Sequence, residues 1–232
     1  MRLNNTFSHT RQRPLIKLTR NPKSKGIRQA DGVYYCRANS LKETYHDMTD
    51  LIIEKPEAGE YLPYYEKYVS LVPDEDGIVA VLGRQLGETV ALLRSIPESR
   101  GNFRYGADKW SIKELVGHMI DTERIFAYRA LRFARNDKTP LPGYEQDDYV
   151  REASFDDYPL GELAAEFESV RRASLYLFKH LNGEASRRRG TANEGTASVR
   201  ALAYIIAGHE LHHMAILRDR YLASDEGNLA GV

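Results

Sequence analysis

Apolar residues recur at intervals of three and four along most of the chain, and this spacing predicts four long amphipathic helices. The first stripe is Ile78, Leu82, Leu86, Val90 and Leu93, within a helix expected over about 74–96. Asp74 and Asp76 suit its N-terminus, and Pro97 stops it. Gly83 and Gly87 lie inside it, each costing about 1 kcal/mol against alanine, and their spacing would permit close approach of a neighbouring helix. The second helix is announced by KWSIKELVGH. Ser111 with Glu114 three residues on forms a capping box, and Trp110 and Leu115 occupy the positions of a hydrophobic staple. Its inward face carries Leu115, His118, Thr122, Ile125 and Arg129, and the pattern fades near Asn136. The third helix starts near Pro159, carries Leu160, Leu163, Phe167, Val170, Ser174, Leu177 and Leu181, and ends at Asn182-Gly183, the glycine serving as the C′ residue. Ser198 caps the fourth, which runs to about Tyr221 with Leu202, Ile205, Ile206, His209, His213 and Ile216 inward.

The connections are polar. NDKTPLPGYEQDDYV (136–150) reads as a loop with two prolines and a glycine, and EASRRRGTANEGTAS (184–198) as a glycine-containing link. EYLPYYEKYVSLVP (60–73) places four tyrosines around Pro63. It reads as a strap packed across the body, ending in a helical turn, with a place at the mouth of a site as the alternative. No segment reads as a convincing strand. The fold class is therefore all-α, a four-helix bundle, and the unequal loops leave the connection order open.

Charge divides the chain. Residues 1–47 hold ten Lys and Arg against three acids, while the whole chain of 232 residues is formally neutral. This basic segment is expected to be a disordered tail, or sequence upstream of a natural start at Met48. The bundle is placed at 48–225, followed by a flexible end at 226–232. An acidic body carries no electrostatic footprint for nucleic acid. A single cysteine, Cys36, cannot form an internal disulfide, and no apolar run approaches the roughly 18 residues of a membrane span. A cytoplasmic protein working on small molecules is the expectation, with neither nucleic acid nor membrane as a partner.

The chemistry concentrates in GHELHHMAIL (208–217). His209 and His213 are one turn apart and share a face that is otherwise aliphatic, where bare imidazoles are costly to bury. A divalent metal is a natural partner, because each imidazole offers one nitrogen. His118, alternating with apolar residues on the second helix, is the candidate third ligand. His212 points about 100° away from His213, and His180 lies off its helix seam. Three protein ligands leave a coordination position open, as in catalytic sites. His209 to His213 also reads as H-E-x-x-H, but Ile216 stands at the glycine offset of the extended protease motif and no histidine follows His213. A zinc protease is therefore disfavoured. Three core histidines bonded to neighbours, without metal, are the bland alternative.

Taken together, ADKWSIKELVGHMIDTERIFAYRALRFARND, TPLPGYEQDDYV, SVRRASLYLF and ASVRALAYIIAGHELHHMAILRDRYL, with the leader EKPEAGEYLPYYEKYV, resemble the DinB/YfiT-like superfamily. The resemblance spans about 48–222. It implies a four-helix bundle of DinB/YfiT type with an unusual connection order, and a divalent metal, nickel or zinc, held by His118, His209 and His213. It also implies a homodimer. Members of the superfamily include thiol transferases, proteins described as metal-dependent hydrolases, and many without assigned activity.

The expectation is a metal-dependent thiol S-transferase acting on small electrophiles, with a low-molecular-weight thiol as cosubstrate. A hydrolase and a non-catalytic, metal-stabilised stress protein are the alternatives. Glu210 is either a catalytic base or a surface or supporting acid. Arg129 and Tyr144 are candidates for substrate binding, with an ion pair to another helix as the alternative for Arg129. Tyr144 and Glu145 sit in a loop placed to form a lid. Asp121 and Thr122, three and four residues past His118, are within helical reach as supports behind the ligands.

Overall fold

The computed structural model describes residues 27–30, 33–36, 53–74 and 77–223. Most of the expected tail, and the expected flexible end, lie outside the described residues. Within the tail, β1 (Ile27–Ala30) pairs antiparallel with β2 (Val33–Cys36). A second, larger unit runs from His46 onward.

Its core is four long helices: α2 (Ile78–Ser95), α3 (Ile112–Ala134), α5 (Leu160–Lys179) and α7 (Val199–Ile216). Three short ones accompany them: α1 (Glu66–Val69), α4 (Gln146–Ala153) and α6 (Gly183–Arg187). Each of α2 and α3 packs against both α5 and α7. The consecutive helices α2 and α3 therefore sit diagonally across the bundle, and a simple up-and-down circuit is excluded.

Local chemistry explains the boundaries. The Ser111 hydroxyl accepts from the Glu114 amide at 3.0 Å, and the Glu114 carboxylate accepts from the Ser111 amide at 2.7 Å. That reciprocal capping box starts α3 as its sequence predicts. The Ser198 hydroxyl accepts from the Ala201 amide at 3.0 Å and starts α7. α2 begins at Ile78, behind an extended Gly77, four residues later than the acidic residues suggest. Gly83 and Gly87 admit no neighbour, since a Cβ on either would meet nothing within 4 Å.

Three further readings need correction. Asn182-Gly183 does not close α5. α5 stops at Lys179, and the Asn182 side chain accepts from the Ala185 amide at 2.8 Å, so it starts α6. The second half of the Pro-Gly loop is helical, as α4. The polar link contains strands: β3 (Arg189–Ala192) pairs antiparallel with β4 (Gly195–Ser198). The two-residue turn between them sets Asn193 at φ 51° and Glu194 at φ 59°. Two successive left-handed residues give the hairpin turn whose twist matches its strands, but Asn-Glu is a weaker signal for it than Asn-Gly. Leu141 bridges to Ala192 alongside.

α7 carries no polar face along its first twelve residues. All of Val199–Glu210 is buried, and a helix buried all round needs cover on every side. The strap supplies the remaining side. Pro63–Tyr65 forms a 3-10 turn, and α1 packs on α7. The strap is pinned at its start, where the Ser198 amide donates to the Glu60 carbonyl at 2.9 Å and the Arg200 Nε donates to the buried Glu60 carboxylate at 2.8 Å. Burial pushes the Glu60 carboxyl up, but hydrogen bonds from Arg200 and Ser198 outweigh it and hold the carboxyl down at about 2. A carboxylate whose folded-state pKa is depressed contributes stability above its unfolded pKa and loses it as pH falls through the folded value. The contribution is therefore complete above about 4.5 and disappears towards about 2. Glu60→Gln is expected to cost about 2–3 kcal/mol at neutral pH and to flatten this part of the acid-unfolding profile. Urea titrations of both proteins across that pH window check it. Parallel profiles would remove Glu60 as the source.

Candidate metal site and adjoining cleft

Three buried imidazoles converge where α3 meets α7. His118 comes from the second turn of α3, and His209 and His213 come from one face of α7. The Nε2 atoms of His118 and His213 each lie 3.0 Å from the Nε2 of His209. These are the three residues whose spacing singled them out. Among the described residues they form the one group of His, Cys, Asp and Glu with donor atoms close enough to hold a metal ion together.

The contacts are incompatible with hydrogen bonding alone. A neutral imidazole nitrogen carries either one proton or one in-plane lone pair, so His209 Nε2 can satisfy one neighbour and not both. Protonating the set is no remedy. Burial holds His118 down at about 4, burial and the neighbouring His118, His212 and Lys67 hold His213 down at about 2, and burial above all holds His209 well below its ordinary value. Three lone pairs facing one point suit a cation. Nitrogens about 2.0–2.1 Å from a common ion stand about 2.9–3.4 Å apart; the two separations from His209 are 3.0 Å, and all three donor atoms lie within 4.8 Å of one another. The residues present therefore fit a divalent metal.

Aromatic rings fix the imidazoles. Trp110 lies against His118 with ring centroids 4.7 Å apart, so it supports the site as well as opening α3. Tyr68 on α1 meets His209 edge-on at 5.3 Å and His212 at 5.5 Å. His212, half-buried, faces the strap, and His180 is exposed.

The glycine before each of two ligands is also structural. A Cβ at Gly117 would stand 2.4 Å from the Phe155 ring, and one at Gly208 would stand 2.0 Å from the Tyr68 carbonyl oxygen. The second contact is with backbone, which cannot swing aside. Gly208→Ala is expected to push α1 off α7, costing about 1–3 kcal/mol and loosening Tyr68 from His209. A thermal melt, together with the metal affinity of the variant, checks this. Unchanged values for both would show that α1 accommodates the methyl.

A cleft of about 400 Å³ opens beside His209. Tyr64, Tyr65 and Tyr68 from the strap line one side, and Thr122, Phe126 and Arg129 from α3 line another. Tyr144 and the start of α4 complete it, with Asn193 of the β-turn at the edge. The strap tyrosines thus do stand at the mouth of the site. Tyr144 shares a hydrogen bond with the Thr122 hydroxyl at 2.9 Å. Burial pushes the hydroxyls of Tyr65, Tyr68 and Tyr144 up, so all three stay protonated at neutral pH. Arg129 is buried and donates to the Pro142 carbonyl at 2.8 Å. The ion pair expected for it as an alternative is not formed among the described residues.

Other candidates sit elsewhere. Asp121 is partly buried, which pushes its carboxyl up, and it pairs with Arg124 at 3.5 Å. Glu210 is neither on the surface nor in the cleft. Its carboxylate lies in the bundle interior, accepting from the Thr89 hydroxyl and pairing with Arg171 Nη1 at 2.6 Å. The rotation of about 100° per residue that brings His209 and His213 together carries Glu210 round to α2 and α5. Arg171 is fully buried and also forks onto Glu123, with Nε to Oε1 at 2.9 Å and Nη2 to Oε2 at 2.8 Å. Nothing in the local pattern announces it. An Arg-Arg pair looks like surface, and only one of the two faces outward.

Comparison with known proteins agrees with this architecture. No curated protein compared with the chain is significantly similar. A solved structure with the same fold is YfiT from Bacillus subtilis, described as a probable metal-dependent hydrolase with an unusual four-helix bundle topology. It superposes with a TM-score of 0.50 at 13% identity, covering 69% of this chain and 87% of YfiT. The sequence profile of the DinB superfamily matches residues 82–217, from α2 to the end of α7, and the chain belongs to that superfamily.

Proposed function

We propose that the protein is a metal-dependent thiol S-transferase, joining a low-molecular-weight thiol to a small electrophile in the cleft beside His209. The observation that supports this reading is the absence, among the residues lining the cleft near the three imidazoles, of a buried carboxylate free to act as a base. Glu210, the adjacent acid, is engaged by Arg171 and Thr89, and Glu145 and Asp147 stand exposed at the rim. A metal lowers the pKa of bound water to about 7, but hydrolysis also needs an acid–base group to protonate the leaving group, whereas a thiol ionises near pH 8.5 unaided. A divalent metal on His118, His209 and His213 would supply the positive charge that keeps a coordinated thiol ionised. The chain's own residues position the partners: Tyr68 and Trp110 hold the imidazole planes, and the strap, Tyr144 and the start of α4 line the cleft. In the transfer, sulfur forms a bond to the electrophilic carbon, the leaving group departs with its electron pair, and the thiol proton goes to solvent.

Zinc or nickel is the expected ion. The test is a screen of cysteine, glutathione and other small thiols against monochlorobimane, using protein loaded with either ion and protein stripped with EDTA. Faster conjugation by loaded protein with at least one thiol is expected. The absence of metal-dependent conjugation with every thiol would overturn the proposal. The description of YfiT favours a second reading, hydrolysis. Ester or amide turnover by loaded protein in the absence of any thiol would establish that reading instead.

A further inference from the structure

Arg129 is a cation in a place that asks for an anion. It is 4% exposed, and no carboxylate lies within ion-pair distance of it among the described residues. Its neighbours are the Pro142 carbonyl at 2.8 Å, the Tyr65 hydroxyl, and the rings of Phe126 and Tyr144 at 5.1 and 5.9 Å from the guanidinium carbon. A guanidinium carries five N–H donors, and a buried arginine is ordinarily paired. The contrast within this protein is direct, because Arg171 and Arg200, equally buried, each fork onto a carboxylate. Arg129 instead borders the cleft that holds His209, and it is the one Lys or Arg among the lining residues.

We propose that Arg129 is the receiving group for a carboxylate on the substrate, so that the cleft selects small monoanionic acids with an apolar or aromatic body. The inference names a substrate class for the function proposed above and rests on that reading only for the reaction, not for the binding. Three features give the anion its character. The Tyr65 and Tyr144 hydroxyls, which line the cleft beside Arg129, can donate to an acceptor-rich ligand. A single planar fork matches a carboxylate in two parallel hydrogen bonds. Glu145 and Asp147 at the rim repel a second negative charge, which disfavours a phosphate dianion. The faces of Tyr65 and Phe126, which meet edge-on at 5.8 Å, suit an apolar body. A separate hollow of about 290 Å³ lies on the other side of Tyr144 and Arg129, bordered by Leu141, Pro142 and Tyr149.

The experiment is calorimetric titration of the full chain with 3-phenylpropionate, its uncharged amide, and inorganic phosphate. Each is measured on zinc-loaded protein and again after EDTA treatment. The carboxylate is expected to bind about tenfold or more tightly than the amide, in both preparations, with phosphate weaker than the carboxylate. Arg129→Gln should remove the preference for the acid over its amide. Arg129→Lys, which keeps the charge and loses the fork, should retain part of it. Equal binding of acid and amide, tighter binding of phosphate, failure of all three to bind, or a preference that persists in Arg129→Gln would each overturn the inference. A preference confined to zinc-loaded protein would also overturn it, since the acid would then be coordinating the ion. Persistence of the preference alongside a failed thiol screen would retain Arg129 as the acid-binding residue and discard the transferase.

Discussion

His209→Ala is expected to purify with little or no metal, under conditions in which the wild type carries about one equivalent, while remaining folded. His209 is the central member of the set, 3.0 Å from each of the other two Nε2 atoms, and its loss leaves two nitrogens with no ring between them. Changes that merely disturb the support behind a ligand cost about 10- to 100-fold in metal affinity, so removal of the central ligand should exceed that range. Folding should persist because the four helices are held by an aliphatic core running from Ile78 to Tyr221, to which this ring contributes little. Elemental analysis of untagged protein, beside far-UV circular dichroism, measures both halves. Full metal content in a folded His209→Ala would show that the ion binds elsewhere. A folded wild type that takes up neither zinc nor nickel would leave the three imidazoles without their proposed occupant.

The sequence made this triad legible for a definite reason. His209, His213 and His118 interrupt stripes whose other members are aliphatic, and a polar residue on an apolar stripe is conspicuous. The helices were legible through the same stripes, and their starts through capping chemistry at Ser111 and Ser198. What the pattern does not carry depends on contacts between distant segments. Gly208 and Gly117 look like costly residues inside helices, and only the Tyr68 backbone and the Phe155 ring explain them. The β3–β4 hairpin leaves little trace in the sequence because its turn is Asn-Glu and its strands alternate small and polar residues. Arg129 sits on the His118 face, and that placement suggested either a substrate or an ion pair. The pattern cannot choose between them, because the choice turns on which acids reach it from other elements.

Arg171→Met is expected to be the most damaging single substitution in the bundle, costing about 3–5 kcal/mol. Arg171 of α5 joins all four helices at one point. It forks onto Glu123 of α3, pairs with Glu210 of α7 at 2.6 Å, and points Nη1 at the Leu82 carbonyl of α2 at 3.3 Å. Gln85 of α2 carries the network on to the Ala207 carbonyl at 3.0 Å. Burial alone would push the guanidinium down, but the two carboxylates outweigh it and push it up. Without the cation, two buried carboxylates face each other with no counter-charge, and the low-polarity interior makes each expensive. Arg171→Lys keeps the charge but cannot fork, so an intermediate loss is expected. Replacing Glu123, Arg171 and Glu210 together with Leu, Met and Leu should recover much of the deficit, because removing a whole buried ion cluster is often neutral. The triple variant then tests what the cluster is for. Glu210 is bonded through the chain to His209, and the network holds α7 against α2 and α5 by directional bonds, where aliphatic packing would allow the helix to roll. Recovered stability with weakened zinc binding would show that the cluster sets the rotation of α7 and hence the spacing of the imidazoles. Recovered stability with undiminished zinc binding would show that packing alone positions them.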